Sequence, residues 1–434
     1  MVHRRAERLR RHRLEQGLRI QRRCQPEQVL LQLGLSVTAD PIAGPPTGET
    51  ERPLTTRALL PLALASVGGP LALAALYAPG AISDVTGSGG FVAIVGAIAF
   101  LAPLAIWLRY SDDIAGSGGL YAFVVAAAGR PVALVQAGLW LGSYVLYLLY
   151  TSAYVVYDLL PPVWPGVHSW RPVLAAVLPA VIAATVIAGR RVAFAVIALL
   201  GLAQVPLVAL LDVVATRHAP TAAAFSVTVN GETSHATAAV ATLFVCGSLP
   251  LFLGGEVERP RRAFRIALPV ALAVTAVGVL LAVYPLAQDP AFAHAASPGV
   301  SLVRADAGPA AADAVGAGVA ASVLAVMLLE YVAITRLLRA VTGIATRAWT
   351  RWIGLGLAIT GPATLLVDPD RVYDTLLRPS LLLLWLSQLV VIAVFPLFVA
   401  RRGGLRAWHL AATAVAATLT GFGVVSAVSG SSST

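Results

Sequence analysis

Ala63-Leu64-Ala65-Ser66-Val67-Gly68-Gly69-Pro70-Leu71 and Leu243-Phe244-Val245-Cys246-Gly247-Ser248-Leu249-Pro250 are two apolar runs, each interrupted by small residues and a proline. A continuous helix cannot pass such a point without losing backbone hydrogen bonds. At membrane depth, freed backbone groups are tolerated only where they line a cavity or meet protein. The first run opens the hydrophobic part of the chain. The second opens a further set of five apolar segments, so the two breaks occupy matching positions in a five-plus-five arrangement, where repeat-built transporters keep their unwound helices. A broken helix exposes N–H groups on one side and carbonyls on the other. The N–H groups of Ser66, Val67, Gly68 and Gly69 are therefore expected to hold a carboxylate. The carbonyls of Ala65, Phe244 and Val245 are expected to take an ammonium. With Cys246, Gly247 and Ser248 these residues form a candidate site for a zwitterion, with Phe244 as a candidate gate.

Composition places these runs in a bilayer. Of 434 residues, 58% are hydrophobic and only 12% charged, against about 25% charged in soluble domains, and the mean hydropathy is +0.80. Eleven apolar segments follow Ala58, centred near Gly69, Phe100, Tyr144, Pro179, Leu202, Gly247, Thr275, Val323, Ile359, Val390 and Val415. Each needs about 20 residues to cross the hydrocarbon. The ninth, Trp352 to Val367, is the shortest and carries Gly361-Pro362. The expected fold is an all-α integral membrane protein of about eleven transmembrane helices, with an inverted-repeat core and broken helices 1 and 6.

All 31 basic residues are arginine. Without lysine there is no Walker A loop and no Schiff-base chemistry. Cys24 and Cys246 lie in unlike surroundings, and the seven histidines form no ligand spacing. No catalytic residue, metal site or cofactor is expected, so the chain does not read as an enzyme. Residues 1–57 form a basic flexible arm with eleven arginines and six acids. Counting that arm, 26 arginines fall on one side of the eleven-span topology and five on the other. The positive-inside rule then puts the amino terminus in the cytoplasm and the carboxyl terminus outside a cell membrane. The arm reads as a neighbour of anionic lipid, and no nucleic-acid partner is expected. Residues 58–400 form the core, and 401–434 add an eleventh helix and a short polar tail. In the external loop after span 5, Asn230-Gly231 between alternating residues suggests a small hairpin.

Four pieces resemble an amino acid permease of the amino acid–polyamine–organocation superfamily. They are the glycine-containing first break, Ser117-Gly118-Gly119-Leu120-Tyr121 followed by Gly129-Arg130-Pro131, Glu256-Val257-Glu258-Arg259-Pro260-Arg261-Arg262, and Thr335-Arg336-Leu337-Leu338. The resemblance implies a LeuT-like core that moves an amino acid or related amine by alternating access. A non-transporting membrane sensor or partner subunit on the same fold is the other reading.

Inside the membrane, Glu330 is the carboxylate placed well within a span, and such acids are functional candidates. It is expected either to carry a proton or to pair with an interfacial arginine. Gln204 in span 5 and Ser322 in span 8 are further candidates for ion coupling. Tyr144 and Tyr147 belong to a helical stripe continued by Tyr150 and Tyr154. The resemblance makes that helix a wall of the side-chain pocket, whereas the stripe alone reads equally as a packing face. A small-molecule substrate, the lipid bilayer and a coupling ion are the expected partners.

Overall fold

The computed structural model describes residues 53–429, apart from 84, 86, 219–224, 287–291, 293 and 364–368. Most of the arm and the last five residues lie outside the described residues. The described residues are almost entirely helical, with one isolated parallel bridge, Leu54 to Val257. Helices are the expected solution in lipid, because they satisfy backbone groups within one segment.

Nine helices among the described residues are long and apolar enough to cross a membrane. Span 1 covers Thr56–Ile82, span 2 Gly89–Ser111, span 3 Arg130–Leu159, span 5 Arg190–Arg217 and span 6 Gly231–Glu256. Span 7 covers Pro260–Val283, span 8 Pro309–Thr342, span 10 Arg371–Arg401 and span 11 Ala407–Ser429. The other two expected spans are shorter helices: span 4 is Arg171–Ile187 and span 9 is Thr346–Ala363. These two pack side by side, span 9 laying its small residues on span 4. A methyl group built on Gly361 would lie 2.8 Å from the Ala176 carbonyl, and one on Gly354 2.8 Å from Ile187 Cδ1. Small residues let helices approach where no hydrophobic force favours association.

The two halves repeat each other in detail. A short helix, Gly119–Ala128, precedes span 3, and another, Pro298–Ala307, precedes span 8. Each ends in a glycine of nearly the same backbone conformation, Gly129 at φ 86°, ψ 172° and Gly308 at φ 88°, ψ 173°. Both glycines turn the chain into a proline-initiated span, a left-handed step that a side chain would strain. Packing follows the same symmetry. Span 3 packs on span 10 and span 8 on span 5, while span 2 lies on span 7 and span 3 on span 8. Span 11 rests on spans 10 and 2. Leu199, Trp352, Ile359 and Val425 are each more than 60% exposed, an apolar outer surface of the kind that bilayer covers.

One local expectation is overturned. Asn230 does not turn a hairpin; its side chain accepts from the Thr233 N–H at 2.8 Å, while Thr233 Oγ1 accepts from the Asn230 N–H at 3.0 Å. This reciprocal cap starts span 6 as an α-helix. Asn-Gly fits both roles, and the threonine three residues on decides between them.

Candidate functional site: the interrupted helices and the buried polar cluster

Span 1 is α-helical to Ser66 and restarts at Pro70. Between them Gly68 and Gly69 sit at φ 73° and 70°, a region that side chains rarely enter. The break is therefore set by sequence-local geometry. Its hydrogen bonding differs from the expectation for an anion site. The Gly68 N–H donates to the Ser66 carbonyl at 2.7 Å, Pro70 has no N–H, and the Leu71 N–H donates to Gln204 Oε1 at 3.4 Å. Ser66 and Val67 close the first half-helix and do not open the second. So of the four donors expected to hold a carboxylate, Gly68 is engaged within the break and Ser66 lies within the first half-helix.

That same contact brings the separate ion-coupling candidates together. A methyl group on Gly69 would lie 2.7 Å from Ser322 Cβ and 3.3 Å from Gln204 Oε1. Spans 1, 5 and 8 thus meet at the break. Ser322 Oγ donates to the Gly318 carbonyl at 2.9 Å, and Gln204 Nε2 to the Leu200 carbonyl at 3.2 Å.

Span 6 is interrupted differently. After Thr242 it tightens into a 3₁₀ helix over Val245–Glu256. The Gly247 N–H donates to the Phe244 carbonyl at 3.0 Å and Ser248 Oγ to the Val245 carbonyl at 3.2 Å. Each of these carbonyls takes one such bond and keeps a second lone pair. The two breaks nevertheless face one another. A methyl group on Gly247 would stand 3.7 Å from Val67 Cγ2 and 3.9 Å from Trp107 Cζ3. Phe244 is buried against Phe100, with ring centroids 5.6 Å apart.

Beside the breaks lies a set of buried polar atoms with no hydrogen-bond partner. Tyr144 Oη, both Glu330 carboxyl oxygens, Gln388 Oε1 and the indole N–H groups of Trp107 and Trp140 belong to it. Tyr144 lies beside Cys246 and Ser248 and within electrostatic reach of Glu330. Gln388 Nε2 reaches Ser248 Oγ at 3.5 Å. The Trp140 ring stacks obliquely on Tyr144 at 4.2 Å. Native interiors leave few buried polar groups unpaired, and each one asks for an explanation. Their gathering beside the two interrupted helices makes this the candidate site.

Among the described residues, no arginine pairs with Glu330. Arg336, six residues along, donates from Nε to Glu256 Oε1 at 2.7 Å, and Arg190 NH1 reaches Glu256 Oε2 at 3.2 Å. This junction ties spans 5, 6 and 8 together at one end. The motif pieces separated in sequence are joined there: a methyl group on Gly254 would lie 2.7 Å from the Gly116 carbonyl, and Gly255 abuts Ser117. Leu54 pairs its backbone with Glu256 and Glu258 at 2.7 and 3.0 Å. Asp112 holds Arg261 and Arg265, and Asp113 holds Arg109 and Arg402. Toward the other end, Tyr147, Tyr150 and Tyr373 run on edge-to-face, and Tyr154 stacks on Tyr373 at 4.9 Å.

Sequence reading did not single out Gln388, Trp107 or Trp140 as site residues. Gln388 was open to notice as an amide inside an apolar span, whereas the indoles look like ordinary core. Trp385, which could equally have faced lipid, is buried against Gly423 of span 11.

No protein-family model matches the chain, and no curated protein matches it in sequence. Solved structures do resemble it. A Na+-coupled sialic acid symporter, in a substrate-bound outward-open state, aligns with a TM-score of 0.58 at 11% identity, over 86% of this chain and 90% of that one. MhsT in complex with L-phenylalanine aligns at 0.57 and 12% identity, over 85% of this chain and 97% of that one. The protein is thus an all-α polytopic membrane protein with a LeuT-like transporter fold.

Proposed function

We propose that the chain is a secondary transporter that moves an amino acid or related amine across the cell membrane by alternating access, in the manner of the amino acid–polyamine–organocation permeases. The observation that carries this reading is the buried set of partnerless polar atoms on Tyr144, Glu330 and Gln388 beside two interrupted helices. The substrate-contact residues are Tyr144, Cys246, Gly247, Ser248 and Gln388, with Val67, Phe244 and Trp107 closing over them. The Glu256 junction seals the cytoplasmic end and the tyrosine stripe narrows the external one. Arginine placement supports this orientation, with the amino terminus inside and the carboxyl terminus outside.

For a coupling ion, support falls on the place where Gly69, Gln204 and Ser322 meet, since it offers two side-chain oxygens beside irregular backbone. One of the two similar proteins is Na+-coupled, which makes sodium the first ion to test there. Purified protein in liposomes, offered labelled amino acids and amines with and without proton and sodium gradients, tests the proposal. Accumulation or exchange of at least one compound is expected. Binding without movement of any compound would turn the reading toward a membrane sensor.

A further inference from the structure

We propose that the substrate is an organic cation that lacks a carboxylate, its ammonium held by Glu330 among the tyrosines of span 3. This rests on the transporter reading above and narrows its substrate to one chemical class.

Three observations carry it. First, the carboxyl group of Glu330 is fully buried, and neither oxygen has a hydrogen-bond partner. No salt bridge among the described residues reaches it, and Arg336 is committed to Glu256. A charge in that position bears its full desolvation cost until a cation arrives. Second, the carboxyl lies within electrostatic reach of Tyr144, Tyr147 and Tyr150, and Tyr147 and Tyr150 meet edge-on at 5.3 Å. Tyrosine faces attract ammonium groups within about 6 Å. Third, acceptors outnumber donors. Around the centre, both Glu330 oxygens and Gln388 Oε1 are unpartnered side-chain acceptors, whereas among the described residues the unpartnered side-chain groups there that can only donate are two neutral indoles. At the first break the Gly68 N–H is spent on Ser66 and the Leu71 N–H on Gln204. The centre therefore offers an ammonium a carboxyl group that no side chain pairs, and offers a carboxylate no cation among the described residues.

The test compares amines with the amino acids that differ from them by one carboxylate: tyramine with tyrosine, agmatine with arginine, putrescine with ornithine. Binding to purified full-length protein is measured beside uptake into proteoliposomes. At least one amine should bind tenfold or more tighter than its amino acid. Glu330→Gln should weaken that amine about 10- to 150-fold, the equivalent of one hydrogen bond to a charged group, and so remove most of its preference over the amino acid. Glu330→Asp should restore part of the preference, which separates charge recognition from loss of folding. Amino acids binding as tightly as their amines, or Glu330→Gln weakening both members of a pair equally, would overturn the inference while accumulation kept the transporter reading. Amine-selective binding without uptake would uphold the inference and sink the transporter. Binding of neither class would sink both.

Discussion

Replacing Glu256 by glutamine should open the closed end of the bundle without unfolding it. The carboxylate takes a 2.7 Å bond from Arg336 and a 3.2 Å bond from Arg190, and these side chains are only 9% and 19% exposed. Hydrogen bonds to charged groups contribute about 1.5–3 kcal/mol each. The amide keeps one acceptor oxygen, and partial exposure screens the pair, so the closed form should lose about 2–4 kcal/mol. That raises the ratio of open to closed molecules about 30- to 1000-fold. The backbone pairing of Leu54 with Glu256 does not involve the carboxylate and persists. Cys246 lies at the site, and Cys24 is the only other cysteine. In a Cys24→Ser background, the alkylation rate of Cys246 by a small hydrophilic maleimide reports opening. It should rise at least tenfold in Glu256→Gln and be restored toward the parent rate by Glu256→Asp. Combining Glu256→Gln with Arg336→Gln should give less than the sum of the single effects, because one junction is lost only once. An unchanged alkylation rate in a variant whose melting temperature falls would refute the reasoning and leave Glu256 a purely structural residue.

Other perturbations address single features. Gly69→Ala combines a positive φ with a methyl group 2.7 Å from Ser322 Cβ; it should abolish uptake, and adding Ser322→Gly should relieve the clash and restore part of it. Gly68→Leu should also block uptake, because φ 73° and a Leu73 side chain 3.0–3.1 Å from the new Cβ leave no relaxed position; unchanged uptake would place the site elsewhere. Asn230→Ala should destabilise the first turn of span 6 by about 1 kcal/mol, read as faster amide exchange over 231–234. Gly354→Leu should separate spans 4 and 9 and lower the melting temperature by several degrees, with binding affinity in the surviving folded fraction unchanged.

The fold was legible in the sequence to the extent that it rests on two local devices. Apolar length marks spans, and glycine beside proline marks their interruption, so Gly68-Gly69-Pro70 located the first break to the residue. The partners of that break were not legible, because they depend on which spans meet. Gln204, Ser322 and Gly69 come from three spans far apart in the chain, and each looked like an isolated polar or small residue. The Gly68 N–H was misjudged for a local reason, because at φ 73° it turns back onto the Ser66 carbonyl. Glu330 was identifiable as an acid in an apolar span, but its lack of an arginine follows from Arg336 being held by Glu256, a pairing between residues 80 apart.

The second interruption raises a different physical point. Val245–Glu256 carries Pro250 and four small or flexible positions, and nothing in such a stretch distinguishes a 3₁₀ helix from an unwound segment. The difference matters for reach. Twelve residues rise about 24 Å as a 3₁₀ helix and about 18 Å as an α-helix. The longer path lets one segment begin at Cys246, near Tyr144 and Glu330, and still place Glu256 between Arg190 and Arg336. The tight winding also narrows the helix, so that Gly254 and Gly255 come down onto the Gly116-Ser117 turn. The candidate site and the Glu256 junction are therefore two ends of one element. The residues that complete its inner end, Ser117, Glu256 and Arg336, are conspicuous in sequence because backbone there approaches backbone. The residues around its outer end are ordinary apolar and aromatic ones, and only their unpartnered atoms single them out.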